Sequence, residues 1–391
     1  MRPLNGQPRR VCVFGNPWPG GMGDRIIFNV FLALVRKAFG AAVVSYVANR
    51  EDVRRFSEYF GAHCYADRVI GCPDPDDDDQ DGWRRLAAEL RAGRYDVGIF
   101  DPNGQEVMAR QAAEAGIAVR IGIVSGGPAD RLLTTAVRMR LPDGEGGSDL
   151  VDYAAALAGV LGLPAPGPAD VVPPFLFRPE AVPVLPRPVI AVHPGGAPGW
   201  NRRWPLARFS GLCRMLAVTE HASFVLVGTA DEQAELASVR GGILAAAPMT
   251  EVLVSAGESL NRLASLLDRA DVLVGNDSAP AHIAAAVRTP AVVLYGPGSR
   301  EFWWRRAYPH HRAVDHHRVC QHHGQGGGPT VMPCRYSCHF PYVTAAGPYP
   351  ECLRDIRVDE VRRAVLASLA AARNGAAASD RSLLTVPGAQ P

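Results

Sequence analysis

The sequence lacks any long apolar run, although 47% of its 391 residues are hydrophobic. A membrane-spanning helix needs about 20 mainly apolar residues in a row, so no such helix is expected. Residues 1–10 are polar and lead into a short apolar segment, which does not match the longer apolar core of a secretory signal peptide. We therefore predict a cytoplasmic protein without a transmembrane segment.

An excess of one charge is also missing. The chain has 41 basic and 39 acidic residues, for a net charge of +2. Because little positive charge is left to neutralise a phosphate backbone, nucleic-acid binding is not expected. Lysine is nearly absent: Lys37 is the only one, and the other 40 basic residues are arginine. Together with abundant alanine, glycine and proline, this bias is typical of a GC-rich coding sequence.

The remaining composition is that of an ordinary globular protein, which excludes collagen, a coiled coil and wholesale disorder. At roughly 150 residues per domain, the length suggests two or three domains. The chain contains eight cysteines. In a cytoplasmic protein these are expected to be reduced thiols or metal ligands rather than a disulfide framework.

Strand and helix patterns alternate along both halves of the chain. Strands are predicted at residues 11–14, 42–47, 97–100, 119–123, 189–192, 224–227, 272–274 and 291–295. Helices are predicted at residues 26–38, 52–60, 83–92, 149–161, 206–216, 260–269 and 280–287. This pattern predicts an α/β protein made of two doubly wound domains that face a cleft.

Proline divides the two halves. Residues 162–188 contain nine prolines, which is typical of a semi-rigid interdomain linker. We therefore predict an N-terminal domain at residues 1–175, a C-terminal domain at 176–373 and a disordered tail at 374–391. The acidic run PDPDDDDQD at residues 73–81 could bind a cation, but like-charge blocks favour a solvated loop.

Three motifs follow strands and open helices. The first is Gly20-Gly21-Met22-Gly23-Asp24, in which glycines allow a tight turn and close approach of a ligand. Its spacing differs from the dinucleotide fingerprint and from the phosphate-binding loop. Asp24 is a candidate catalytic carboxylate, and the structural alternative is a residue that caps the helix.

The second motif runs from His193-Pro194-Gly195-Gly196 to Arg202-Arg203-Trp204-Pro205, after the first strand of the second half. Ligands of open α/β sheets bind at such strand ends. Two adjacent arginines before a helix could hold phosphate oxygens. The alternative is a surface turn with solvated arginines.

The third motif is GNDSAPAH at residues 275–282, again between a strand and a helix. Ser278 and the unpaired amides of the helix start would form an anion site. His282 lies four residues after Ser278 and therefore on the same side of the helix. The alternative is a capping residue followed by a packed histidine.

Together, these motifs resemble glycosyltransferase family 9, the group of the ADP-heptose:lipopolysaccharide heptosyltransferases. The matching segments are GGMGD, VIAVHPGGAPGWNRRWPLARFSGL, FVLVGTADE, LNRLASLLDRADVLVGNDSAPAHIAAAVRTPAVVLYGP and ECLRDIRVDEV. The longest of them is similar to the most specific stretch of the family. The segments occur in the family's order and cover most of the chain.

The resemblance implies a GT-B fold, with two Rossmann-like domains, the donor in the C-terminal one, and an inverting mechanism that requires no metal or other cofactor. Asp24 would be the general base, and Arg202 would neutralise the departing nucleoside diphosphate. Ser278 and the backbone at Ala279 would hold the phosphates, and Glu232 would bind the ribose. Asn103 and Gln105 would contact the acceptor or the sugar. The other implied substrate contacts are Gly21, Gly23, His193, Gly195, Gly228, Asn276, Asp277 and His282.

Three features depart from the family pattern. Ala279 replaces the usual glycine, and Pro17-Trp18-Pro19 lengthens the turn before the first motif. The cysteine region is also longer, and seven of the 11 histidines fall between His310 and His339. A structural zinc site could form from four cysteines, with free thiols or a disulfide as the alternatives: Cys320, Cys334, Cys338 and Cys352.

The sequence thus predicts a glycosyltransferase that uses an ADP- or GDP-linked sugar, either a heptose or a hexose. The acceptor would be a glycolipid, as in lipopolysaccharide assembly, or a small molecule, as in clusters for bleomycin-type glycopeptide antibiotics. The coding bias and the departures favour the second context. The alternatives are a nucleotide-sugar epimerase with a GT-B fold and a non-catalytic sugar-nucleotide-binding protein. The sequence gives no prediction of the oligomeric state.

Overall fold

The structure is a computed structural model that describes residues 8–101, 104–124, 126–138, 149–196, 202–296, 304, 306–316, 338, 342–344 and 347–376. The strands of the first half are β1 (Arg10–Phe14), β2 (Val43–Asn49), β3 (Arg68–Cys72), β4 (Val97–Phe100), β5 (Val119–Ile123) and β6 (Thr135–Val137). They form one parallel sheet in the order β3-β2-β1-β4-β5-β6. Its helices are α1 (Met22–Ala38), α2 (Arg50–Arg55), α3 (Gln80–Gly93), α4 (Gln105–Glu114) and α5 (Leu150–Val160).

The second half repeats this architecture. Its strands are β7 (Val189–His193), β8 (Ser223–Gly228), β9 (Val252–Ala256), β10 (Val272–Asn276), β11 (Ala291–Tyr295) and β12 (His311–Asp315). They form a second parallel sheet in the order β12-β11-β10-β7-β8-β9. The helices are α6 (Leu206–Glu220), α7 (Gln233–Ala246), α8 (Leu260–Arg269), α9 (Ala279–Ala286), α10 (Glu351–Asp355) and α11 (Val358–Ala376), and a small hairpin pairs β13 (Tyr342–Thr344) with β14 (Gly347–Tyr349).

In both sheets, the strand order reverses beside the first strand of the half, between β1 and β4 and between β7 and β10. Ligands of doubly wound sheets bind in the crevice at this reversal, beyond the carboxyl ends of the strands. The first motif follows β1, the second follows β7 and the third follows β10. The fold therefore places all three motifs at the two crevices.

Burial of apolar side chains explains why the helices pack where they do. In α1, Ile26, Leu32 and Val35 have no exposed surface and belong to one hydrophobic core with the strands behind them. Valine and isoleucine fill the central strands, as expected for a parallel sheet that is covered on both faces. None of the helices in the described part of the chain is long and apolar enough to cross a membrane.

The predicted α/β class and the doubly wound sheets are confirmed, and α8 and β11 have the predicted bounds. The helix predicted at residues 52–60 is wrong in its second half, because α2 ends at Arg55 and a separate π-helical turn spans Tyr59–His63. The acidic loop is partly structural, since Asp79 accepts a hydrogen bond from Gly82 N at the start of α3, at 2.8 Å.

The proline-rich segment packs against both halves. Phe175 stacks on His63 of the first half, with ring centroids 4.5 Å apart. Five residues later, the N–H of Glu180 donates to Ser265 of the second half, at 2.9 Å. A direct bond also joins the halves, because Leu260 N donates to Glu58 at 2.6 Å. The first sheet ends at Val137 and the second begins at Val189, and the domain boundary at residue 175 stays a prediction.

Candidate functional site

The first motif forms a tight turn that opens α1. Gly21 directly precedes the helix, and Asp24 is its third residue. The Oδ2 atom of Asp24 accepts a hydrogen bond from the N–H of Gly21, at 3.2 Å, so this carboxylate does cap the helix start. The side chain is exposed. Its Oδ1 atom has no hydrogen-bond partner among the residues that the structure describes.

A buried ion pair beside Asp24 shapes this turn. Arg25 and Asp52 are 2% and 1% exposed, and Nε of Arg25 donates to Oδ2 of Asp52 at 2.9 Å. The guanidinium also donates to the carbonyls of Asn16 and Trp18, at 3.2 and 3.0 Å. The Asp52 carboxylate accepts from Gly20 N at 3.0 Å. Both partners therefore fix the backbone that leads into the first motif.

The first and third motifs meet across the cleft, where α1 packs on α9. A Cβ atom on Gly23 would lie 2.9 Å from Cδ2 and 3.1 Å from Nε2 of His282. It would also lie 3.7 Å from the amide nitrogen of Ala279, at the start of α9. Only glycine allows α1 to approach the third motif this closely, which brings Asp24 next to the proposed phosphate site.

His282 is held from behind by an aromatic cluster. Its Nδ1 lies 2.9 Å from the Tyr308 hydroxyl, and its ring meets Trp304 edge to face at 5.2 Å. Burial lowers the pKa of His282 from 6.5 to about 4, and the charge of Asp24 offsets only part of this effect. The imidazole is therefore neutral at pH 7 and presents Nε2 towards the start of α1.

Ser278 precedes α9 but makes no side-chain hydrogen bond to cap it. Its hydroxyl lies 2.9 Å from Nδ1 of His193, at the end of β7. On the other side of that ring, Nε2 lies 3.8 Å from Oε2 of Glu232. The Ser278 side chain is thus not used as a cap, and the N–H of Ala279 is the donor left at the helix start, because Pro280 has no N–H and Ala281 N donates to Ser278 O at 3.0 Å. An anion site at this helix start stays a prediction.

Glu232 is buried at the centre of a polar network. Its Oε2 accepts from Thr229 N at 2.9 Å, and its Oε1 accepts from Gly196 N and from Nη2 of Arg203, both at 3.1 Å. Burial alone would raise its pKa, but His193 and these backbone donors outweigh burial and lower it to about 2. Both carboxylate oxygens are therefore already engaged, and binding of a ribose by Glu232 stays a prediction.

Two predicted contact residues act by leaving space for this carboxylate. A Cβ atom on Gly228 would lie 2.8 Å from Oε2 of Glu232, and one on Gly195 would overlap Oε1. Each glycine thus lets its loop close over Glu232. Both glycines thus help to position Glu232 in the crevice of the second sheet.

Asn276 is buried, and its side-chain amide is hydrogen-bonded to the backbone of the second motif. Its Oδ1 accepts from Trp204 N at 2.9 Å, and its Nδ2 donates to the carbonyls of Pro194 and Gly195, both at 2.8 Å. The side chain is 1% exposed, so it has no surface to offer a ligand. This amide joins the second motif to the third, and a substrate contact at Asn276 stays a prediction. The neighbouring Asp277 is half-buried at the cleft.

The two adjacent arginines have different surroundings. Arg203 pairs with Glu232 and with Glu235, each at 3.1 Å. Arg202 is half-buried and forms no ion pair with any residue in the described ranges. Of the two guanidinium groups, that of Arg203 is thus engaged, and binding of a diphosphate by Arg202 stays a prediction.

The family scan matches residues 83–325 to the model of glycosyltransferase family 9 (heptosyltransferase). The chain belongs to glycosyltransferase family 9. Curated relatives include lipooligosaccharide heptosyltransferase 2 of Haemophilus influenzae, 32% identical over 116 residues, and lipopolysaccharide heptosyltransferase 2 of Escherichia coli, 35% identical over 121 residues. Each match covers 30% of this chain and 33% of the relative, so the aligned part spans about a third of these family members.

The fold of family 9 extends over nearly the whole chain. The solved structure of the ADP-heptose lipopolysaccharide heptosyltransferase II of Escherichia coli covers 93% of this chain and 99% of its own, with a TM-score of 0.62 and 20% identity. This likeness confirms the GT-B fold predicted from the sequence.

The predicted contact of Gln105 with the acceptor or the sugar stays a prediction, and its side-chain amide is paired within the fold. Its Nε2 donates to Ile123 O and its Oε1 accepts from Ile123 N, both at 2.7 Å. Both polar atoms of this buried amide are therefore paired with the backbone at the end of β5. Asn103 lies outside the described residues.

The zinc prediction falls largely outside the described part of the chain, which includes neither Cys320 nor Cys334. Cys338 is half-buried and Cys352 is buried. No group of three or more histidine, cysteine, aspartate or glutamate side chains that could hold a metal occurs among the residues that are described. A structural zinc site therefore stays a prediction, and metal analysis of the purified protein tests it.

Several residues that shape this site are not indicated by any motif of the sequence. Arg25 and Asp52 are separated by 27 positions, and nothing in either local pattern indicates that they pair. Trp304 and Tyr308 lie after the end of the longest matching segment, which ends in VVLYGP at residue 297. The direct contact of Ser278 with His193 follows from the adjacency of β7 and β10 in the sheet, which the motifs alone do not specify.

Proposed function

We propose that this protein transfers a sugar from a nucleoside diphosphate to an acceptor hydroxyl, with inversion at the anomeric carbon and without a metal. The observation that carries the proposal is the contact of Gly23 with His282, which sets an exposed carboxylate beside an anion site. Membership of family 9 supports the same reaction class.

The donor would lie in the C-terminal crevice with its diphosphate at the start of α9. The N–H of Ala279 and the positive end of the helix would favour negative charge there. The next two residues add no free donor, because Pro280 has no N–H and Ala281 N donates to Ser278 O at 3.0 Å. Arg202 adds a positive charge that forms no ion pair with a carboxylate among the described residues, whereas Arg203 forms ion pairs with Glu232 and Glu235. These groups would stabilise the charge that develops on the leaving diphosphate.

The acceptor hydroxyl would lie between this site and Asp24. The carboxylate removes the hydroxyl proton as the acceptor oxygen attacks the anomeric carbon, and the nucleoside diphosphate leaves on the opposite side. Inversion follows because one displacement occurs from the face opposite the leaving group. The ring of His282, which is neutral at pH 7 because burial lowers its pKa to about 4, shapes the boundary of this space.

ADP-heptose is the first donor to test, because the relatives are named as heptosyltransferases and one structural neighbour is named for ADP-heptose. A GDP-linked hexose is the second. The acceptor context is either lipopolysaccharide-type or that of a specialised metabolite.

The experiment measures nucleotide affinity by thermal shift and calorimetry with ADP, GDP, UDP, CDP and TDP. Arg202→Ala should weaken binding of the preferred diphosphate about tenfold or more, since one charge-assisted contact contributes about 1.5–3 kcal/mol. Arg240→Ala, at an exposed position of α7, serves as the matched control and should bind normally. Equal affinities for wild type and Arg202→Ala would remove Arg202 from the site, and absence of binding by every nucleotide would overturn the proposed function.

A further inference from the structure

A cavity of about 730 Å³ opens beside the first motif. It lies beyond the carboxyl ends of the strands of the first sheet, where doubly wound domains bind ligands. Its volume is in the range of small-molecule sites, which is about 300–1,000 Å³. Its lining includes Trp18, Gln80, Trp83, Glu106, Arg110 and Gln111.

Two tryptophans give the cavity its apolar surface. Trp18 belongs to the turn that precedes α1, and Trp83 belongs to the first turn of α3. Trp18 is held against the start of α4, because a Cβ atom on Gly104 would lie 3.1 Å from its ring. Both indoles are half-buried. An indole offers a broad flat apolar face together with an N–H donor, which suits a ligand with apolar faces and polar edges.

The charges along the described lining cancel. Arg110 lies 3.6 Å from Glu106, one turn earlier on α4. Recognition of phosphate or of several carboxylates uses clusters of guanidinium groups. This lining offers one arginine with its own carboxylate partner, so it provides no excess positive charge for a polyanionic ligand.

One side-chain amide of the lining has an oxygen that accepts no hydrogen bond from the described residues. The side-chain oxygen of Gln111 is buried and has no hydrogen-bond partner among the described residues. Gln105, in the same cavity wall, has both amide atoms paired with Ile123. A buried acceptor without a partner costs free energy unless a ligand or water donates to it. A hydroxyl group is the donor that suits this site.

We propose that this cavity binds the acceptor of the transfer reaction and that the acceptor is a small, uncharged carbohydrate or glycoside. The proposal rests on the proposed function. Trp18 lines the cavity, and its carbonyl accepts a hydrogen bond at 3.0 Å from Arg25, the residue next to Asp24. Sugar rings would stack on Trp83 and Trp18, and their hydroxyls would donate to Gln111 and Glu106. A phosphorylated glycolipid core is the alternative that the charge balance disfavours.

The test compares a neutral disaccharide with the same disaccharide carrying a phosphate, by saturation-transfer NMR and tryptophan fluorescence on the full chain. We expect the neutral sugar to bind, and Trp83→Ala to weaken it about tenfold through loss of stacking. Trp83→Phe should retain most of the affinity, which controls for folding. Arg110→Gln should change the affinity for the neutral sugar less than about twofold, because its charge is balanced by Glu106.

Two results would overturn the proposal: tighter binding of the phosphorylated sugar that is lost in Arg110→Gln, or sugar affinity that is unchanged in Trp83→Ala. Failure of both sugars to bind would also overturn it. Nucleotide affinity measured on the same samples separates this proposal from the proposed function. Sugar binding without nucleotide binding would contradict only the latter, and nucleotide binding without sugar binding would contradict only the cavity assignment.

Discussion

Gly23 packs directly on the imidazole of His282, so that a Cβ atom at position 23 would lie 2.9 Å from Cδ2 of the ring. On the other side of the ring, the Tyr308 hydroxyl lies 2.9 Å from Nδ1 of His282, so the ring cannot easily move away from Gly23. The distance between the start of α1, which carries Asp24, and the start of α9 thus depends on the absence of one methyl group.

Gly23→Ala should reduce transfer roughly tenfold or more, because misplacement of reacting groups by about 1 Å has effects of this size. The measurement is the single-turnover rate with the preferred donor. The control is Gly211→Ala in α6, where an added Cβ meets nothing within 4 Å, and alanine should leave the rate unchanged. A normal rate for Gly23→Ala would show that this contact does not set the geometry.

The buried pair of Arg25 and Asp52 should matter most for stability. Asp52→Asn leaves a buried guanidinium without its charge partner, which costs about 3–5 kcal/mol. Chemical denaturation should show this loss. Glu89→Gln breaks the Arg68–Glu89 pair, whose side chains are 48% and 38% exposed, and should cost at most about 1 kcal/mol. Similar losses for the two variants would contradict the role given to the Arg25–Asp52 pair.

The neutral state of His282 predicts a pH dependence. Burial lowers its pKa in the folded protein from 6.5 to about 4, so the unfolded chain binds the proton first as the pH falls. The stability that comes from the neutral ring is present in full above pH 6.5 and is lost between pH 6.5 and about 4, by about 3 kcal/mol. In His282→Gln, the unfolding free energy should fall less over this interval. Parallel curves for wild type and variant would contradict the neutral assignment.

The fold could be predicted where hydrophobic periodicity is strong and both ends carry breakers. Leu260–Arg269 begins after Ser259, whose side chain accepts from Arg262 N at 3.1 Å, and its bounds were predicted correctly. α7 was missed because Gly241 and Gly242 interrupt its pattern. β9 was missed because it is a partly exposed edge strand without a continuous buried run.

The candidate site was predictable as a set of motifs but not as a set of roles. Sequence cannot tell whether an amide faces a ligand or the backbone, and both Gln105 and Asn276 face the backbone. The contact of His193 with Ser278 depends on the strand order, which places β7 beside β10. Arg202 could be separated from Arg203 only by the position of Glu232.

Transfer by Asp24→Asn tests the central claim most directly. Asparagine keeps the size of the side chain and an oxygen that can accept from Gly21 N, so the start of α1 should remain intact. It cannot take the proton of the acceptor hydroxyl, and the single-turnover transfer rate should fall about 10²–10⁴-fold while nucleotide affinity stays unchanged. A transfer rate close to that of the wild type, in a variant that binds the donor normally, would show that Asp24 is only a helix cap.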